Sequence, residues 1–337
     1  MSEKKRKRTF VEWFFSKFSL ATPKEIAKML LPLVAMIAMM IIDGATADVY
    51  PTGYAETTYP AFIRVSIVVY LAFVCISIWF KYFRVHFVKW YGLITFIYLA
   101  TGIYNMCTVK SGMLTWPYFP SWDSMLDYVF NNLGQTGTDV FNSVTLYLQG
   151  ILLGGVLGFL WGSAMGYSKH ANYWLNPIIK IIGPVPGVAW VTISLVLAPT
   201  NHIAALIIIA STTWFPLSVN LAGGIRSVSR ASIERAQTLG ASNFYIIRHV
   251  VYPAALPSIF TGLFMACCFS LTSLVTAERM GVHGGLGYRI SWAQSYMSYD
   301  AVYSVAVMFI IMAFVLITIL FAVQRHCMSW SKEVVQW

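Results

Sequence analysis

The sequence predicts an all-α polytopic membrane protein with about eight transmembrane helices. Three observations carry that expectation. Of its 337 residues, 58% are hydrophobic and 11% charged, against about 25% charged in an ordinary soluble domain; mean hydropathy is +0.67. Eight apolar stretches each approach the ~20 residues needed to cross a bilayer. Basic residues gather at alternate ends of those stretches, where orientation signals sit.

The elements follow in order. Lys4, Lys5, Arg6, Lys7 and Arg8 precede Phe10, Trp13, Phe14 and Phe18 at near-helical spacing, so residues 1–22 read as a basic segment with a short helix in the membrane interface. Thr22-Pro23-Lys24-Glu25 is a helix start: Thr as N-cap, Pro at the first helical position, Glu three residues after the cap. The first span is placed at 25–42. A cleaved signal peptide is its rival, because Ala45-Thr46-Ala47 resembles a cleavage site, although the basic region before it is long. Further spans are expected near 62–80, 90–107, 144–167, 177–198, 202–222, 257–280 and 302–323.

With those spans, the N-terminus, Lys81, Arg84 and Lys89, Lys169, Arg226, Arg230, Arg235 and Arg248, and Arg325 and Lys332 fall on one side. The other side holds Asp43, Asp48, Glu56, Asp123, Asp127, Asp139 and Asp300, with Lys110 and Arg289 among its few basic residues. The positive-inside rule makes the basic side cytoplasmic, with both termini there. The net charge of +10 is thus an orientation signal, and no nucleic-acid partner is expected. Loops near 43–60, 108–140 and 281–300 form the opposite, outer face.

Two spans have unusual texture. Gly150, Gly154, Gly158, Gly162 and Gly166 recur every fourth residue, a groove in which another helix can approach closely. Gly183-Pro184-Val185-Pro186-Gly187 interrupts the next span near its cytoplasmic end. It reads equally as a kink lining a pathway or as a late helix start.

The stretch from Glu234 to Pro257 does not fit its greasy surroundings. Ser229 or Ser232 can cap a short helix ending at Leu239, with Gly240 as its stop. Ser242 can cap a second helix from Asn243 to about Val251, which Pro253 ends. Ile233, Ala236 and Leu239 share one face of the first piece, and Phe244, Ile247 and Val251 one face of the second. On the residues alone this elbow is either a membrane-surface anchor or a docking element.

Several chemistries are unsupported. There is no Gly-Lys-Ser/Thr phosphate loop, no His-Glu-x-x-His and no Cys-x-x-Cys. No metal or other cofactor is expected on this chain. The five cysteines read as packing residues. A membrane enzyme would want clustered His, Asp or Glu, and the six histidines are scattered. A stand-alone secondary transporter or channel, the alternative reading, would be expected to show an ionisable residue deep in a core span or an inverted repeat; neither is evident.

Glu234-x-Ala236, three residues, Gly240, nine residues, then Val250-x-Tyr252-Pro253 resembles the EAA loop of type I ABC importer permeases, which reads Glu-Ala-Ala, three residues, Gly, nine residues, Ile-x-Leu-Pro. Arg235, Val250 and Tyr252 depart from it. Leu256-Pro257-Ser258-Ile259-Phe260-Thr261-Gly262-Leu263 and Gly285-Leu286-Gly287-Tyr288-Arg289-Ile290 are similar to the nitrate/sulfonate/taurine branch of that family. The resemblance covers roughly 144–323 and implies a five-helix permease core there, with the coupling elbow at 229–253, in a bacterial cytoplasmic (inner) membrane. A three-span extension at 23–143 would precede it and a cytoplasmic tail at 324–337 would follow.

The resemblance also implies a role for the elbow. It would couple to a separate ATPase subunit through Glu234, Arg235, Ala236, Gly240, Ala241, Phe244 and Pro253. Small residues at Ala236 and Gly240 would allow close seating, and Glu234 would reach polar groups there or cap a neighbouring turn. ATP and Mg would sit on that partner, which explains the missing phosphate loop. The other implied partners are a second permease copy, identical or not, a periplasmic or lipid-anchored substrate-binding protein, and membrane lipid.

Pathway candidates are Thr192 and Ser194, Thr212 and Trp214, and Ser270, Thr272, Ser273 and Glu278, hydroxyls suiting a passage that does not hold its solute tightly. Against this, each Ser or Thr can simply bond its own helix backbone, and Glu278-Arg279 reads more readily as a local pair or a binding-protein contact than as a buried site. No Arg or Lys lies deep in a core span. Family analogy points to a small anion of the nitrate, sulfonate or bicarbonate class, or to a small heterocyclic nutrient.

Overall fold

The computed structural model describes residues 22–46, 48–49, 58–280, 282 and 284–328. The expected interfacial helix before Thr22, Ala47, Glu56, His283 and Lys332 lie outside them. The chain divides into two compact units, Met1–Asn131 and Asn132–Trp337.

The first unit contains α1 (Pro23–Ala45), α2 (Thr58–Trp79), α3 (Lys81–Asn105) and α4 (Trp122–Asn131), with a wide π turn, Met106–Lys110, extending α3. The N-terminal start signal is a complete capping box. Thr22 Oγ1 accepts the Glu25 N–H, and the Glu25 carboxylate accepts the Thr22 N–H at 2.9 Å. Met29, Met36, Tyr70 and Val74 form the core, and the Tyr70 hydroxyl donates to the Met29 carbonyl at 2.9 Å.

Lys110 is held by two carboxylates, Asp43 at 3.4 Å and Asp48 at 2.6 Å, and donates to the Asp43 and Thr46 carbonyls. A cation in an acidic region is thus neutralised locally. Asp123 on α4 accepts the Tyr59 N–H at 2.6 Å; burial pushes its carboxyl above the usual range, and that N–H opposes the shift.

The second unit runs α5 (Leu133–Tyr167), α6 (Lys169–Ile182), a 3-10 turn at Gly187–Ala189, α7 (Trp190–Leu197) and α8 (Asn201–Arg226). It continues with α9 (Arg230–Thr238), α10 (Asn243–Ile246), a π turn at Ile247–Val251, α11 (Tyr252–Glu278), α12 (Leu286–Ser295) and α13 (Tyr299–Cys327). α5 and α11 pack along α8.

The five in-phase glycines of α5 all lie against α8. A Cβ on Gly158 would sit 3.0 Å from the Trp214 carbonyl oxygen, one on Gly162 2.7 Å from that of Ser218, and one on Gly166 2.7 Å from Ile225. Gly150 and Gly154 meet Ile209 and Ala210 in the same way. Any side chain at these positions would push the helices apart.

Seven helices among the described residues are long and apolar enough to cross a membrane. The span expected at 177–198 is not a straight helix. α6 and the Gly187–Leu197 segment meet at 90°, so they make an eighth span only if counted as one broken element. Pro184 and Pro186 remove two donors and disfavour helix in the residues before them. Neighbours hold the bend: a Cβ on Gly183 would strike the Phe215 ring, and one on Gly187 would lie 2.5 Å from Ser273 Oγ. Two expected outer loops also contain helices, since α4 and the start of α5 lie within 108–140 and α12 within 281–300.

Candidate functional site

The elbow is built from α9, α10 and the start of α11. α9 begins after Ser229, whose hydroxyl makes no capping bond; its carbonyl accepts from Ser232 and Ile233 instead. α9 stops in a Schellman motif: the Ala241 N–H bonds the Ala236 carbonyl at 3.1 Å and the Gly240 N–H that of Gln237 at 2.9 Å. Gly240 has φ +78°, the left-handed conformation a residue without Cβ adopts most easily. A Cβ there would touch nothing within 4 Å, so within this chain backbone conformation, not crowding, requires the glycine.

Ser242 then caps α10, its Oγ accepting the Tyr245 N–H at 3.3 Å. The expected stop at Pro253 does not occur. The Ile247–Val251 turn widens so that the Tyr252 N–H bonds the Ile247 carbonyl, five residues back, and Pro253 falls in the first turn of α11. A proline is tolerated where its missing donor has no helical partner to lose. Asn243–Glu278 therefore forms one continuous membrane-length helix.

The elbow's two faces differ from the expected grouping. Ile246 and Val251 are buried in a cluster with Leu221, Ile225 and Ala255, against which Ile233, Ala236 and Ala241 also pack. This seats the elbow on the ends of α8 and α11. Ala236 thus serves the chain's own packing. Leu239 is 87% exposed, Phe244 71% and Tyr245 52%. Helices this short present two faces that periodicity alone does not separate. Glu234 and Arg235 are exposed as well. Arg235 Nε donates to the Ala231 carbonyl at 3.0 Å, while Glu234 caps no neighbouring turn among the described residues. The Tyr245 ring stacks on His249 at 4.2 Å.

The hydroxyl candidates mostly bond their own helices. Thr212 Oγ1 donates to the Ile209 carbonyl at 3.0 Å, Ser270 Oγ to that of Cys267 at 3.1 Å and Thr272 Oγ1 to that of Cys268 at 3.2 Å. Trp214 packs edge-to-face on Trp161 at 5.1 Å. Thr192 is exposed, and Ser273 is buried beside Gly187. Ser194 is fully buried, and its hydroxyl finds no partner.

Glu278 corrects the expectation of a local pair with Arg279 or a binding-protein contact. It is fully buried and bonds Ser143 and the Gly287 N–H, while Arg279 turns to Gln294 at 3.0 Å. Ser143, Asp139 and Arg289 join the same cluster. Sequence reasoning missed it: Asp139, Ser143 and Glu278 lie at the same end of two apolar helices, a placement that does not by itself pair them.

The family model described as the binding-protein-dependent transport system inner membrane component matches residues 150–329. The chain belongs to this family. The taurine transport system permease protein of Escherichia coli is 30% identical to the permease over 192 residues, covering 57% of this chain and 70% of that one. The bicarbonate transport system permease protein of Synechococcus elongatus is 33% identical over 159 residues, 46% of this chain and 57% of that one. An inward-facing structure of the MetNI methionine ABC transporter shares the fold at 17% identity and TM-score 0.50, covering 58% of this chain and 98% of its own. The permease is therefore a multi-pass transport subunit of an ABC importer, not its catalytic component.

Proposed function

We propose that the elbow docks on a separate ATPase subunit and that its exposed row, Leu239, Phe244 and Tyr245, enters a groove there beside Glu234 and Arg235. One observation carries this reading: the elbow's inner face is packed into the permease while large apolar side chains protrude from the outer face. Large apolar side chains gathered on one outer face mark a surface that another body covers, and the EAA-type spacing of Glu234, Ala236 and Gly240 points to the ATPase subunit as that body. The Schellman stop and the Ser242 cap keep the outward row in a fixed arrangement.

The working importer contains two permease copies, two ATPase subunits that bind ATP and Mg, and a substrate-binding protein. The unit that begins at Asn132, not 144, forms the solute pathway, and the unit before it is accessory. The basic side, with the elbow and both termini, faces the cytoplasm. ATP-driven closure of the ATPase pair moves the two elbows, and the bundle tips between inward- and outward-open states.

The substrate class is a small anion of the sulfonate, nitrate or bicarbonate kind. The relatives named for taurine and bicarbonate support it. Hydroxyls occupied by their own helices give a pathway that passes the solute without holding it.

The test is a gentle-detergent pull-down of the tagged chain, with mass spectrometry of what accompanies it. An ATPase with a phosphate-binding loop accompanies the native chain and is lost when Phe244 and Leu239 are replaced by Ala. A native chain that comes down alone and still moves solute in liposomes would overturn the reading.

A further inference from the structure

The cluster around Glu278 lies at the end of the bundle opposite the elbow, and docking does not use it. Glu278 Oε1 accepts the Ser143 hydroxyl at 2.6 Å, and Oε2 accepts the Gly287 N–H at 2.6 Å. Ser143 Oγ accepts the Leu286 N–H at 2.8 Å. Asp139, one turn earlier on α5, accepts the Gly285 N–H at 3.2 Å through Oδ1 and pairs with Arg289 Nε at 2.8 Å through Oδ2.

Three consecutive N–H groups at the start of α12 are thus satisfied by side chains of α5 and α11, where a helix has no partners of its own. The same exposed N–H dipoles favour a carboxylate at that point. The turn is moulded around it: Gly284 and Gly285 have φ +102° and +118°. A Cβ on Gly285 would lie 2.6 Å from the Glu278 carboxyl carbon, and one on Gly287 2.9 Å from Oε2.

Glu278 also ends the continuous helix that starts at Asn243 in the elbow. At 1.5 Å per residue that helix is about 54 Å long. If α11 shifts without α12, a buried carboxylate and several buried donors lose their partners together. α12 must follow, or the cluster must open to water.

We propose that Glu278 is a positioning residue for transport, fastening α12 to the far end of this helix so that displacement of the elbow reaches the Gly284–Gly287 turn. Ser143 is its anchor on α5. This rests on the docking reading above.

The experiment uses the full importer, purified with its ATPase and binding protein and reconstituted in liposomes. An environment-sensitive fluorescent amino acid replaces Tyr296, 69% exposed at the end of α12. With Glu278 in place, ATP changes the fluorescence and drives uptake. Glu278→Ala retains the ATPase subunit and hydrolysis, but the ATP-dependent signal and uptake fall at least tenfold. Glu278→Gln, which keeps the shape and an acceptor for the Gly287 N–H, restores most of both. Ser143→Ala keeps the carboxylate, loses one arm and falls between them.

Native uptake and signal in Glu278→Ala would overturn the proposal. So would parallel losses in all three variants that track the amount of folded chain, or a labelled chain with Glu278 in place that retains the ATPase and takes up solute yet shows no ATP-driven signal. A native chain that retains no ATPase would instead sink the docking reading, and this proposal with it.

Discussion

The Ser143 hydroxyl and the Glu278 carboxylate lie 2.6 Å apart with both side chains fully buried, although 135 residues separate them. Ser143 links donor and acceptor, since it also receives the Leu286 N–H. Ser143→Ala leaves that N–H and one carboxylate oxygen without their partner, at about 1–3 kcal/mol for each buried group. The thermal unfolding midpoint in detergent should fall clearly below that of the native chain. Ser295→Ala, an exposed hydroxyl bonded to its own helix, should leave it unchanged.

Gly240 separates two explanations of one glycine. A β-branched residue in the left-handed region costs about 1–2 kcal/mol, whereas Asn tolerates that region. If backbone conformation is the requirement, uptake coupled to ATP hydrolysis should rank Gly, then Asn, then Ala, then Val. If close seating against the partner is the requirement, Asn should fail as badly as Val. The φ of +78° at Gly240 makes the conformational requirement present in the chain itself, so the first ranking is expected.

Phe244 and Ile246, two residues apart, should fail differently. Phe244→Ala should leave the unfolding midpoint of the isolated permease unchanged and weaken ATPase retention by about 2 kcal/mol, roughly 30-fold. Ile246→Ala opens a cavity beneath the elbow and should destabilise the permease itself by about 2–4 kcal/mol. Calorimetry of the solubilised chain and an ATPase binding titration, run side by side, check both.

Gly155 and Gly162 offer a matched comparison on one helix. A Cβ on Gly155 meets nothing within 4 Å, while one on Gly162 would lie 2.7 Å from the Ser218 carbonyl oxygen. Gly162→Ala should cost about 1–3 kcal/mol by forcing α5 off α8, and Gly155→Ala should be neutral or slightly stabilising. Unfolding midpoints of the two variants decide it.

What the sequence made legible was local. The Thr22–Glu25 capping box, the Ser242 cap and the glycine stop at Gly240 each depend on residues within a turn of one another. The glycine stripe of α5 was readable because its period is the helix's own, though its partner was not. The Glu278 cluster was illegible because its members are more than a hundred residues apart in part, and only the fold brings α5 to the end of α11. Pro253 misled because a proline ends a helix only when the turn before it stays regular. Leu239 and Phe244 misled because pieces of nine and four residues are too short for apolar spacing to separate inside from outside.

The wide turn at Ile247–Val251 has a geometric consequence of its own. Each α-helical residue turns the chain by about 100°, and a π turn holds one residue more than a regular helix would over the same rise. Everything on the elbow side of it is therefore set at a different compass bearing from the membrane span than an unbroken α-helix would give. Removing a single residue there would swing Phe244 and Tyr245 around the axis by roughly a quarter turn or more, with almost no change in length. The turn is in effect a vernier between the two ends of the helix, and relatives that differ by one residue at this point would aim the same aromatic pair at a different neighbour.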